Sequence, residues 1–340
     1  MFAMMESTRL ESLHFAQDPQ SGLKAIIAIH NSRLGPALGG CRYLPYPDEQ
    51  SAIEDVLRLA KGMSYKAALA GLPQGGGKAV IIRPLHVDSR AALFEAFGRF
   101  IETLNGHYIT AMDSGTSTAD MDCIAQHTQH VTSTTAEGDP SPHTAMGVFT
   151  GIRATAMARL GGDNLEGLRV AIQGLGHVGY ALAEQLHAAG AELLVSDLDG
   201  GRVQLAVEQL GAHPVANDAL LATPCDILAP CALGGVLNAE TVGQLRCSAV
   251  AGAANNQLAS ADIADSLQAR GILYAPDYVI NAGGLIYVAL RHKGESLMAI
   301  TAHLTQISLR LTEIYAHAQA DKRSPSRVAD ALAERLLYGP

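Results

Sequence analysis

The sequence predicts an α/β protein of two domains, the second of which is built on a doubly wound parallel sheet. At 340 residues the chain is long enough for two domains of roughly 150 residues each. Hydrophobic residues make up 48% of it and charged residues 17%, a balance typical of proteins with large buried cores. After a segment rich in proline and glycine at 135–143, apolar strands alternate regularly with helices, which indicates a parallel sheet.

The first part of the chain mixes strands and helices. Apolar runs predict strands at 22–31, 78–84 and 107–113, and helical periodicity predicts helices at 51–71 and 90–106. We expect the second helix to end at Gly106, because glycine is the usual residue just beyond a helix C-terminus.

The second part of the chain supplies the parallel sheet. Six apolar segments predict its strands, and the last ~40 residues are expected to be helical. The strand segments are RVAIQG, ELLVSD, HPVA, CDILAP, AVAGA and ILYAP.

Composition excludes several classes of function. The formal net charge of −9, without a cluster of Lys and Arg, argues against a nucleic-acid or anionic-membrane surface. The chain contains no apolar run of about 18 residues, and its first residues carry no secretory h-region. The cysteines have no CxxC spacing, which fits free thiols in a reducing cytoplasm; they are Cys41, Cys123, Cys225, Cys231 and Cys247.

A nucleotide-binding motif opens the second half. A glycine-rich turn follows the apolar strand RVAIQ and precedes an Ala- and Leu-rich helix, and an acid ends the next strand; these residues are Gly174, Gly176, Gly179 and Asp197. The glycines let a helix N-terminus approach a pyrophosphate, whose charge the unpaired N–H groups stabilise. Together these features indicate a Rossmann dinucleotide-binding domain, against the alternative of a purely structural glycine turn.

The acidic residues after this motif favour NAD. Asp197 is expected to accept hydrogen bonds from the ribose hydroxyls, and with Asp199 it would repel a 2′-phosphate. Arg202 could favour NADP, but an exposed arginine in a turn is the simpler interpretation.

A lysine beside three glycines marks the first half. The stretch GLPQGGGKAV, residues 71–80, is not a P-loop, because Leu72 stands where its first glycine belongs and Ala79 lacks the metal-binding hydroxyl. Packing against backbone without side chains indicates that something small needs access to the amine of Lys78.

Lys66 precedes this lysine by twelve residues in the stretch MSYKAALAGLPQGGGKAV. Two lysines in a semi-dry cleft repel each other, and desolvation also disfavours their charged forms, so the pKa of a lysine there is expected to fall towards neutrality. One lysine can then bind a carboxylate while the other acts as a base. Each lysine taken alone would more often be a surface residue, and the glycines around Lys78 are what favour the site.

The chain resembles the amino-acid dehydrogenases of the glutamate, leucine, phenylalanine and valine family, and its leucine dehydrogenases most closely. The resemblance covers about residues 20 to 335. It is carried by LGPALGGCR, MSYKAALAGLPQGGGKAVI, DSGTSTADMD, GDPSPHTAMGV, APCALGG, AGAANNQL and YAPDYVINAGG, in that order.

The resemblance implies roles for particular residues. Lys66 would bind the substrate α-carboxylate, Lys78 would be the general base that activates water, and Asp113 would exchange protons with the departing amine. Gly39 and Ala111 would line the substrate cleft. The nicotinamide and its ribose would be held by Thr144, Asn256 and Asn281.

The resemblance also implies an apolar side-chain pocket. Leu38 stands where the glutamate enzymes have a lysine, and Leu285 and Val288 would form the other wall. A pocket without charge disfavours glutamate, because the desolvation of its carboxylate is not compensated. We therefore expect branched-chain L-amino acids as substrates. Phenylalanine or phenylserine preference, and a non-catalytic NAD-binding sensor, remain as alternatives.

The implied architecture places the substrate cleft between the two domains. We assign residues 1–134 together with 322–340 to substrate binding and homo-oligomer assembly, and residues 140–321 to the Rossmann domain. Asn255 departs from the family pattern, which has Asp there. Cys123, His127 and His130 would share a face if their stretch were helical, but an amphipathic helix is the simpler interpretation, and no metal is expected.

Overall fold

The computed structural model describes residues 2–339, and the chain divides into two compact units. Unit 1 consists of Met1–Asp139, Ile286–Ser296 and Ala333–Pro340, and unit 2 consists of Pro140–Leu285 and Leu297–Leu332. Met1 and Pro340, the outer ends of the first predicted domain, lie outside the described residues. The domain boundaries drawn from the sequence stay a prediction.

Unit 1 is built on a mixed sheet of strand order β1-β2-β4-β3-β5. Strands β1, β2 and β4 pair antiparallel, whereas β3 runs parallel to β4 and to β5. The elements in chain order are α1 (Phe2–Thr8), β1 (Ser12–Asp18), β2 (Leu23–Asn31), β3 (Ala37–Leu44), α2 (Glu49–Leu69), β4 (Gly75–Ile82), α3 (Arg90–Glu102), β5 (Tyr108–Met112) and α4 (Thr118–Ala125).

The glycines before Lys78 lie inside strand β4, which begins at Gly75 and not at Lys78 as the sequence predicts. Glycine weakens a strand on propensity alone. Here β4 lies between β2 and β3, and α2 crosses it so closely that a Cβ added to Gly76 would be 2.0 Å from the backbone nitrogen of Ser64. The close crossing requires glycine, and the two flanking strands hold the segment extended.

Helix ends follow local capping. Asp48 caps α2 by accepting a hydrogen bond from the Ser51 N–H, and Ser89 caps α3 through the Ala92 N–H. Helix α3 ends at Glu102, so the predicted end at Gly106 is wrong. The chain instead turns between the helix and β5, and Asn105 and Gly106 adopt left-handed backbone conformations in that turn.

Two hydrophobic cores cover the two faces of this sheet. One contains Leu93, Phe94 and Phe97 from α3, and the other contains Val56, Leu57 and Ala60 from α2. Val80 of β4 belongs to the α2 core, so the strand positions that share its face also point towards α2.

Unit 2 contains a parallel sheet of order β11-β10-β9-β6-β7-β8, with helices between the strands. This confirms the predicted class, an N-terminal α/β unit followed by a Rossmann-type parallel sheet. The elements are α5 (Ser141–Leu160), β6 (Arg169–Gln173), α6 (His177–Ala188), β7 (Glu192–Ser196), α7 (Gly200–Leu210), β8 (His213–Pro214), β9 (Ile227–Pro230), β10 (Ala249–Val250), α8 (Asp262–Ala269), β11 (Leu273–Tyr274), α9 (Asp277–Ile280), α10 (Gly283–His292), α11 (Leu297–Leu304), α12 (Gln306–Asp321) and α13 (Pro325–Tyr338).

The core of unit 2 forms where these strands meet α8. It includes Ala171 of β6, Leu228 of β9, Val250 of β10 and Leu267 of α8. In residues 2–339 no helix is both long and apolar enough to span a membrane.

Candidate active site

One face of the unit 1 sheet gathers most of the residues that the sequence predicts for substrate chemistry. Leu38 of β3 pairs with Gly76 of β4, and Gly40 of β3 pairs with Ala111 of β5. Because side chains alternate along a strand, Lys78 and Asp113, each two residues further on, lie on this same face. It is the face covered by α2.

Lys78 and Asp113 are in direct contact. The Lys78 Nζ lies 3.0 Å from Oδ2 of Asp113, with 7% and 22% of the two side chains exposed. A Cβ added to Gly40 would lie 2.7 Å from the Asp113 Cβ and 3.3 Å from the Lys78 Nζ. Gly40 therefore leaves the space in which the amine and the carboxylate meet.

The sequence singles out the neighbouring Gly39 and not Gly40. In the structure, a Cβ at Gly39 would be 1.7 Å from the carbonyl oxygen of Gly77, and the Gly39 carbonyl accepts a hydrogen bond from the Tyr108 hydroxyl at 2.6 Å. Gly39 thus allows strands β3 and β4 to approach closely. Its predicted place in the substrate cleft stays a prediction.

Lys66 lies on α2, above the same strand. The helix and β4 are in close contact at Ser64 and Gly76, and Lys66 and Lys78 each lie two residues beyond that contact. The Lys66 side chain is partly buried. Its predicted contact with a carboxylate is consistent with this placement.

Arg42 belongs to the same cluster, although sequence reasoning missed it. Its Nε donates to Oδ2 of Asp113 at 3.0 Å, and its Nη1 donates to Oδ2 of Asp55 on α2 at 3.0 Å. It lies two residues beyond Gly40 on the same face of β3, a relation that follows only once the segment is known to be a strand.

The surroundings of Asp113 decide its protonation. Burial acts to raise the pKa of Asp113, but the positive charges of Lys78 and then Arg42 outweigh it and hold the pKa below its usual value. The carboxylate is therefore ionised at neutral pH. It can accept a proton and return it to a neighbouring group.

The glycine turn of unit 2 has the geometry that a pyrophosphate requires. Gly174 has a φ of +95°, and a Cβ at Gly179 would be 2.0 Å from the Gly174 carbonyl oxygen. Helix α6 begins at this turn with Gly176 as its N-cap and without a side-chain capping bond, and a Cβ at Gly176 would meet nothing within 4 Å. The described residues thus form a cradle of bare backbone at a helix N-terminus, which fits a nucleotide phosphate.

Asp197 is fixed beside this turn. Its Oδ2 accepts a hydrogen bond from the Leu175 N–H at 2.6 Å, and its Oδ1 accepts one from the Asp199 N–H at 2.8 Å. Burial acts to raise the pKa of Asp197, but the hydrogen bonds from Asp199 and Leu175 outweigh it, so the pKa lies below its usual value. An ionised carboxylate here can accept hydrogen bonds from ribose hydroxyls. Arg202 lies 3.9 Å away and is half exposed.

Asn281 offers a second group that fits the cofactor. Its Nδ2 donates to the Ala253 carbonyl at 3.0 Å and to Oδ1 of Asn255 at 2.9 Å. Its own Oδ1 is buried and has no hydrogen-bond partner among residues 2–339. A buried acceptor without a donor is costly. The amide of a nicotinamide would supply the missing N–H. Asn255 supports Asn281 through an oxygen that an aspartate would also offer.

Thr144 and Asn256 complete the predicted cofactor residues. Thr144 lies in the first turn of α5, where a Cβ at Gly284 would be 2.5 Å from its hydroxyl. Asn256 has a left-handed φ of 51°, and its N–H donates to Oδ2 of Asp277 at 2.6 Å. Both lie in unit 2 with the glycine turn.

The predicted pocket residues are apolar and buried. Leu38 is 1% exposed, and Leu285 and Val288, at 8% and 6%, lie one turn apart on α10. The boundary between the two units passes through α10 between these two residues. Their joint role in a substrate pocket stays a prediction.

The stretch with Cys123, His127 and His130 is only partly helical. Helix α4 ends at Ala125, so the two histidines lie beyond it, and His127 approaches Glu95 at 3.8 Å. Within residues 2–339, no three side chains of His, Cys, Asp or Glu gather as a metal site would require.

Family models and known proteins match this chain across both units. A family model described as the dimerisation domain of Glu/Leu/Phe/Val dehydrogenase matches residues 9–130, and one described as glutamate/leucine/phenylalanine/valine dehydrogenase matches 139–206 and 201–331. The leucine dehydrogenase of Geobacillus stearothermophilus is 48% identical over 341 residues, covering 99% of this chain and 93% of the relative.

Two further relatives extend the comparison. The phenylalanine dehydrogenase of Bacillus thermotolerans is 43% identical, covering 96% of this chain and 88% of the relative. The crystal structure of L-tryptophan dehydrogenase from Nostoc punctiforme superposes with a TM-score of 0.89 at 40% identity, covering 99% of this chain and 98% of that one.

The matches span nearly the whole chain, and the structure supplies both a paired lysine and aspartate and a glycine turn suited to a dinucleotide. The chain therefore belongs to the Glu/Leu/Phe/Val dehydrogenase family and is an amino-acid dehydrogenase that uses a nicotinamide cofactor.

Proposed function

We propose that this protein catalyses the reversible, NAD-dependent oxidative deamination of branched-chain L-amino acids, leucine together with valine and isoleucine, to the 2-oxo acid and ammonia. The observation that carries the proposal is the contact between Lys78 Nζ and Asp113 Oδ2 at 3.0 Å, at a position that Gly40 leaves open. A dehydrogenase that releases ammonia needs such a pair, because water must lose a proton while the amine gains one.

Lys66 and Lys78 divide the work on the substrate. Lys66 binds the α-carboxylate and so fixes Cα. Lys78 acts in the reaction after it has lost its own proton, and in that state it takes a proton from the water that attacks the oxidised carbon. The oxygen of that water becomes the carbonyl oxygen of the 2-oxo acid.

Asp113 serves the nitrogen of the substrate. It accepts the proton that the substrate ammonium group loses before Cα is oxidised, and it returns that proton to the nitrogen of the carbinolamine, which leaves as ammonia. Its ionised state, which Arg42 favours and which Lys78 also favours while Lys78 is protonated, is the state that can accept that proton. The summed reaction consumes the amino acid, water and NAD⁺ and yields the 2-oxo acid, ammonium, NADH and a proton.

Unit 2 provides groups that fit the cofactor, which when bound accepts the hydride from Cα. The turn of Gly174, Gly176 and Gly179 would hold the pyrophosphate, and Asp197 the ribose hydroxyls. Thr144, Asn256 and Asn281 would hold the nicotinamide end. The charge of Asp197 supports NAD rather than NADP, because it would repel a 2′-phosphate.

The choice of a branched-chain substrate rests on apolar side chains. Leu38, Leu285 and Val288 offer no partner for a charged group, so glutamate and aspartate would lose several kcal/mol by desolvation. The leucine dehydrogenase of Geobacillus stearothermophilus is more similar to this chain than the phenylalanine dehydrogenase of Bacillus thermotolerans, at 48% against 43% identity. An apolar pocket separates neighbouring substrates by only ~1–3 kcal/mol per methylene, so side-chain preference has to be measured.

An amino-acid panel tests this function. Initial rates of nicotinamide reduction are measured with L-leucine, L-valine, L-isoleucine, L-phenylalanine and L-glutamate, each with NAD and with NADP. We expect the highest kcat/KM with a branched-chain substrate and NAD. Highest activity with phenylalanine would assign the chain to an aromatic substrate, and nucleotide binding without turnover of any amino acid would indicate a sensor.

The family description also supports assembly. Because the model matching residues 9–130 is described as a dimerisation domain, we expect a homo-oligomer. The free cysteines fit a reducing compartment, so we also expect the protein to act in the cytoplasm. Light scattering of the purified protein measures the assembly.

A further inference from the structure

A partly buried arginine on β3 connects the proposed proton-transfer pair to a helix. Arg42 has 18% of its side chain exposed; its Nε donates to Asp113 Oδ2 and its Nη1 donates to Asp55 Oδ2, each at 3.0 Å. The planar guanidinium thus uses two different edges for two carboxylates, and its orientation is fixed by both.

The far end of this connection is itself held in place. Oδ2 of Asp55 also accepts a hydrogen bond from the Tyr46 hydroxyl at 2.8 Å, and its Oδ1 accepts one from Arg58 at 3.0 Å. Burial acts to raise the pKa of Asp55, but the hydrogen bond from Tyr46 and those from the arginines outweigh it and keep the pKa below its usual value. Arg42 is therefore anchored by an ionised carboxylate on α2 and cannot simply follow movements of Asp113.

At the near end, two cations share one oxygen. Lys78 Nζ and Arg42 Nε both lie 3.0 Å from Oδ2 of Asp113. The Asp113 N–H meanwhile donates to the Thr116 hydroxyl at 2.9 Å, which fixes the backbone from which the carboxylate projects. With Oδ2 occupied from two sides, Oδ1 is the oxygen left to exchange a proton with a substrate nitrogen.

We propose that Arg42 is a positioning residue for catalysis, which holds Asp113 by Oδ2 so that Oδ1 faces the substrate amine. This inference rests on the proposed function of Asp113. A purely structural role would be to tie β3 to α2 through Asp55. The two roles differ in what happens to Asp113 when the arginine is replaced.

The charge of Arg42 supports the positioning role. Among the groups that lower the pKa of Asp113, Lys78 and Arg42 act through both charge and hydrogen bonds. Without Arg42, burial would be opposed by one cation instead of two, so the pKa of Asp113 should rise. The other titratable groups that interact with Asp113 are Cys41 on β3, Tyr46 after β3 and Tyr108 on β5, and Asp55 on α2 shares Arg42 with it.

The test compares Arg42→Gln and Arg42→Lys with the wild type and with Arg58→Gln. Arg58 is a matched control because its side chain is 67% exposed and it binds the same Asp55 without reaching Asp113. The measurements are kcat and KM for L-leucine across pH, the thermal unfolding midpoint, and the titration of the Asp113 carboxyl carbon by NMR, with Asp113→Asn to identify its signal.

For Arg42→Gln we expect kcat to fall about 10- to 100-fold, the loss that follows from a misplaced catalytic group, with a smaller change in KM. The acidic limb of its pH profile of kcat and the midpoint of its Asp113 titration should both move to higher pH by about one unit or more. Arg42→Lys keeps the charge but cannot bind both carboxylates with the geometry of a guanidinium. It should therefore restore the midpoint of the Asp113 titration but only part of kcat. Arg58→Gln should leave all of these as in the wild type.

The inference is overturned if Arg42→Gln lowers the unfolding midpoint while kcat and the Asp113 titration stay as in the wild type. It is also overturned if Arg58→Gln reproduces the effects of Arg42→Gln, because the tie to α2 would then explain them. The NMR titration keeps the two proposals apart: a wild type inactive on the whole amino-acid panel refutes the proposed function, whereas an unmoved Asp113 midpoint in Arg42→Gln refutes the role of Arg42.

Discussion

At the scale of single residues, the proposed chemistry depends on the absence of side chains as much as on their presence. Lys78 and Asp113 can meet because Gly40 carries no Cβ, and the pyrophosphate cradle exists because Gly176 and Gly179 carry none. At the first place a lysine amine lies beside bare backbone. At the second, the phosphate of a bound dinucleotide would do so. The polar groups can then be close together without losing their hydrogen-bonding geometry.

Asp197→Asn tests the proposed cofactor preference. The asparagine retains an oxygen for the Leu175 N–H but loses the charge, and it leaves Arg202, 3.9 Å from the carboxylate in the wild type, without that anion. We expect weaker NAD binding and improved NADP binding, with a ratio of the two affinities changed by about 10-fold or more. Fluorescence titration with each reduced nucleotide measures it.

Glu208→Gln is the control for this experiment. Glu208 is an exposed carboxylate on α7, so its replacement removes one negative charge from the same unit. An unchanged ratio of affinities in Asp197→Asn would show that the ribose contact has been assigned to the wrong residue.

The proposed catalytic pair could be predicted from sequence, whereas its neighbours could not. Lys78 and Asp113 lie in segments whose order of motifs resembles a known family, so their contact was expected and is observed. Gly40 and Arg42 were missed because LGPALGGCR, with its glycines and proline, does not show the alternation of a strand. Only the pairing of this segment between β4 and β5 makes it one.

At the scale of elements, the crossing of α2 over β4 sets the distance between helix and sheet. Gly76 lies against Ser64, and Lys66 and Lys78 each follow this contact by two residues on their own element. Propensity alone predicted β4 from Lys78 onward, because three glycines disfavour a strand. The neighbouring strands and the helix override that preference, which is why the start of β4 could not be read from the local sequence.

Gly76→Ala tests this crossing. The new Cβ would lie 2.0 Å from the Ser64 nitrogen, so α2 must move away from β4 and carry Lys66 with it. We expect a loss of about 1–3 kcal/mol in the free energy of unfolding from overpacking, and a KM for the amino acid that rises more than the Kd for NAD. Chemical denaturation and steady-state kinetics measure the two effects.

Gly62→Ala is the matched control on the same helix. A Cβ at Gly62 meets nothing within 4 Å, so this change should stabilise the protein by about 0.4–1 kcal/mol and leave KM unchanged. Equal effects of the two substitutions would contradict the role given to the crossing.

At the scale of the whole molecule, both ends of the chain contribute to unit 1, which also takes in residues 286–296. His30 contacts both ends: its Nε2 lies 3.1 Å from the Thr8 carbonyl oxygen and 3.4 Å from the Tyr338 hydroxyl, while its Nδ1 lies 2.8 Å from the Ser64 hydroxyl. Such long-range contacts have no local signal in the sequence. The regular alternation of strands and helices in unit 2 does, and there all six predicted strands are present.

His30 should make stability depend on pH. Burial lowers the pKa of His30 from 6.5 to about 4, so the folded protein holds it neutral where the unfolded chain would protonate it. The contribution of neutral His30 to the free energy of unfolding is complete above about pH 6.5 and is lost as the pH falls through 4. At 1.36 kcal/mol per pKa unit, the loss is about 3 kcal/mol.

Denaturation curves between pH 7 and pH 4 check this expectation. The wild type and His86→Gln, which alters an exposed histidine of unit 1, should lose stability in parallel. His30→Gln should be less stable at pH 7 but should lose about 3 kcal/mol less on acidification. A pH dependence identical to that of the wild type would show that His30 does not titrate in this range.

The central claim is that the buried amine of Lys78 performs the proton transfer, and turnover of Lys78→Ala with L-leucine and NAD tests it most directly. The exposed Lys61→Ala serves as the control, and Kd for NAD is measured for both variants. We expect kcat of Lys78→Ala to fall about 10²- to 10⁴-fold with Kd little changed, and Lys61→Ala to behave as the wild type. Turnover of Lys78→Ala at the wild-type rate would contradict the account.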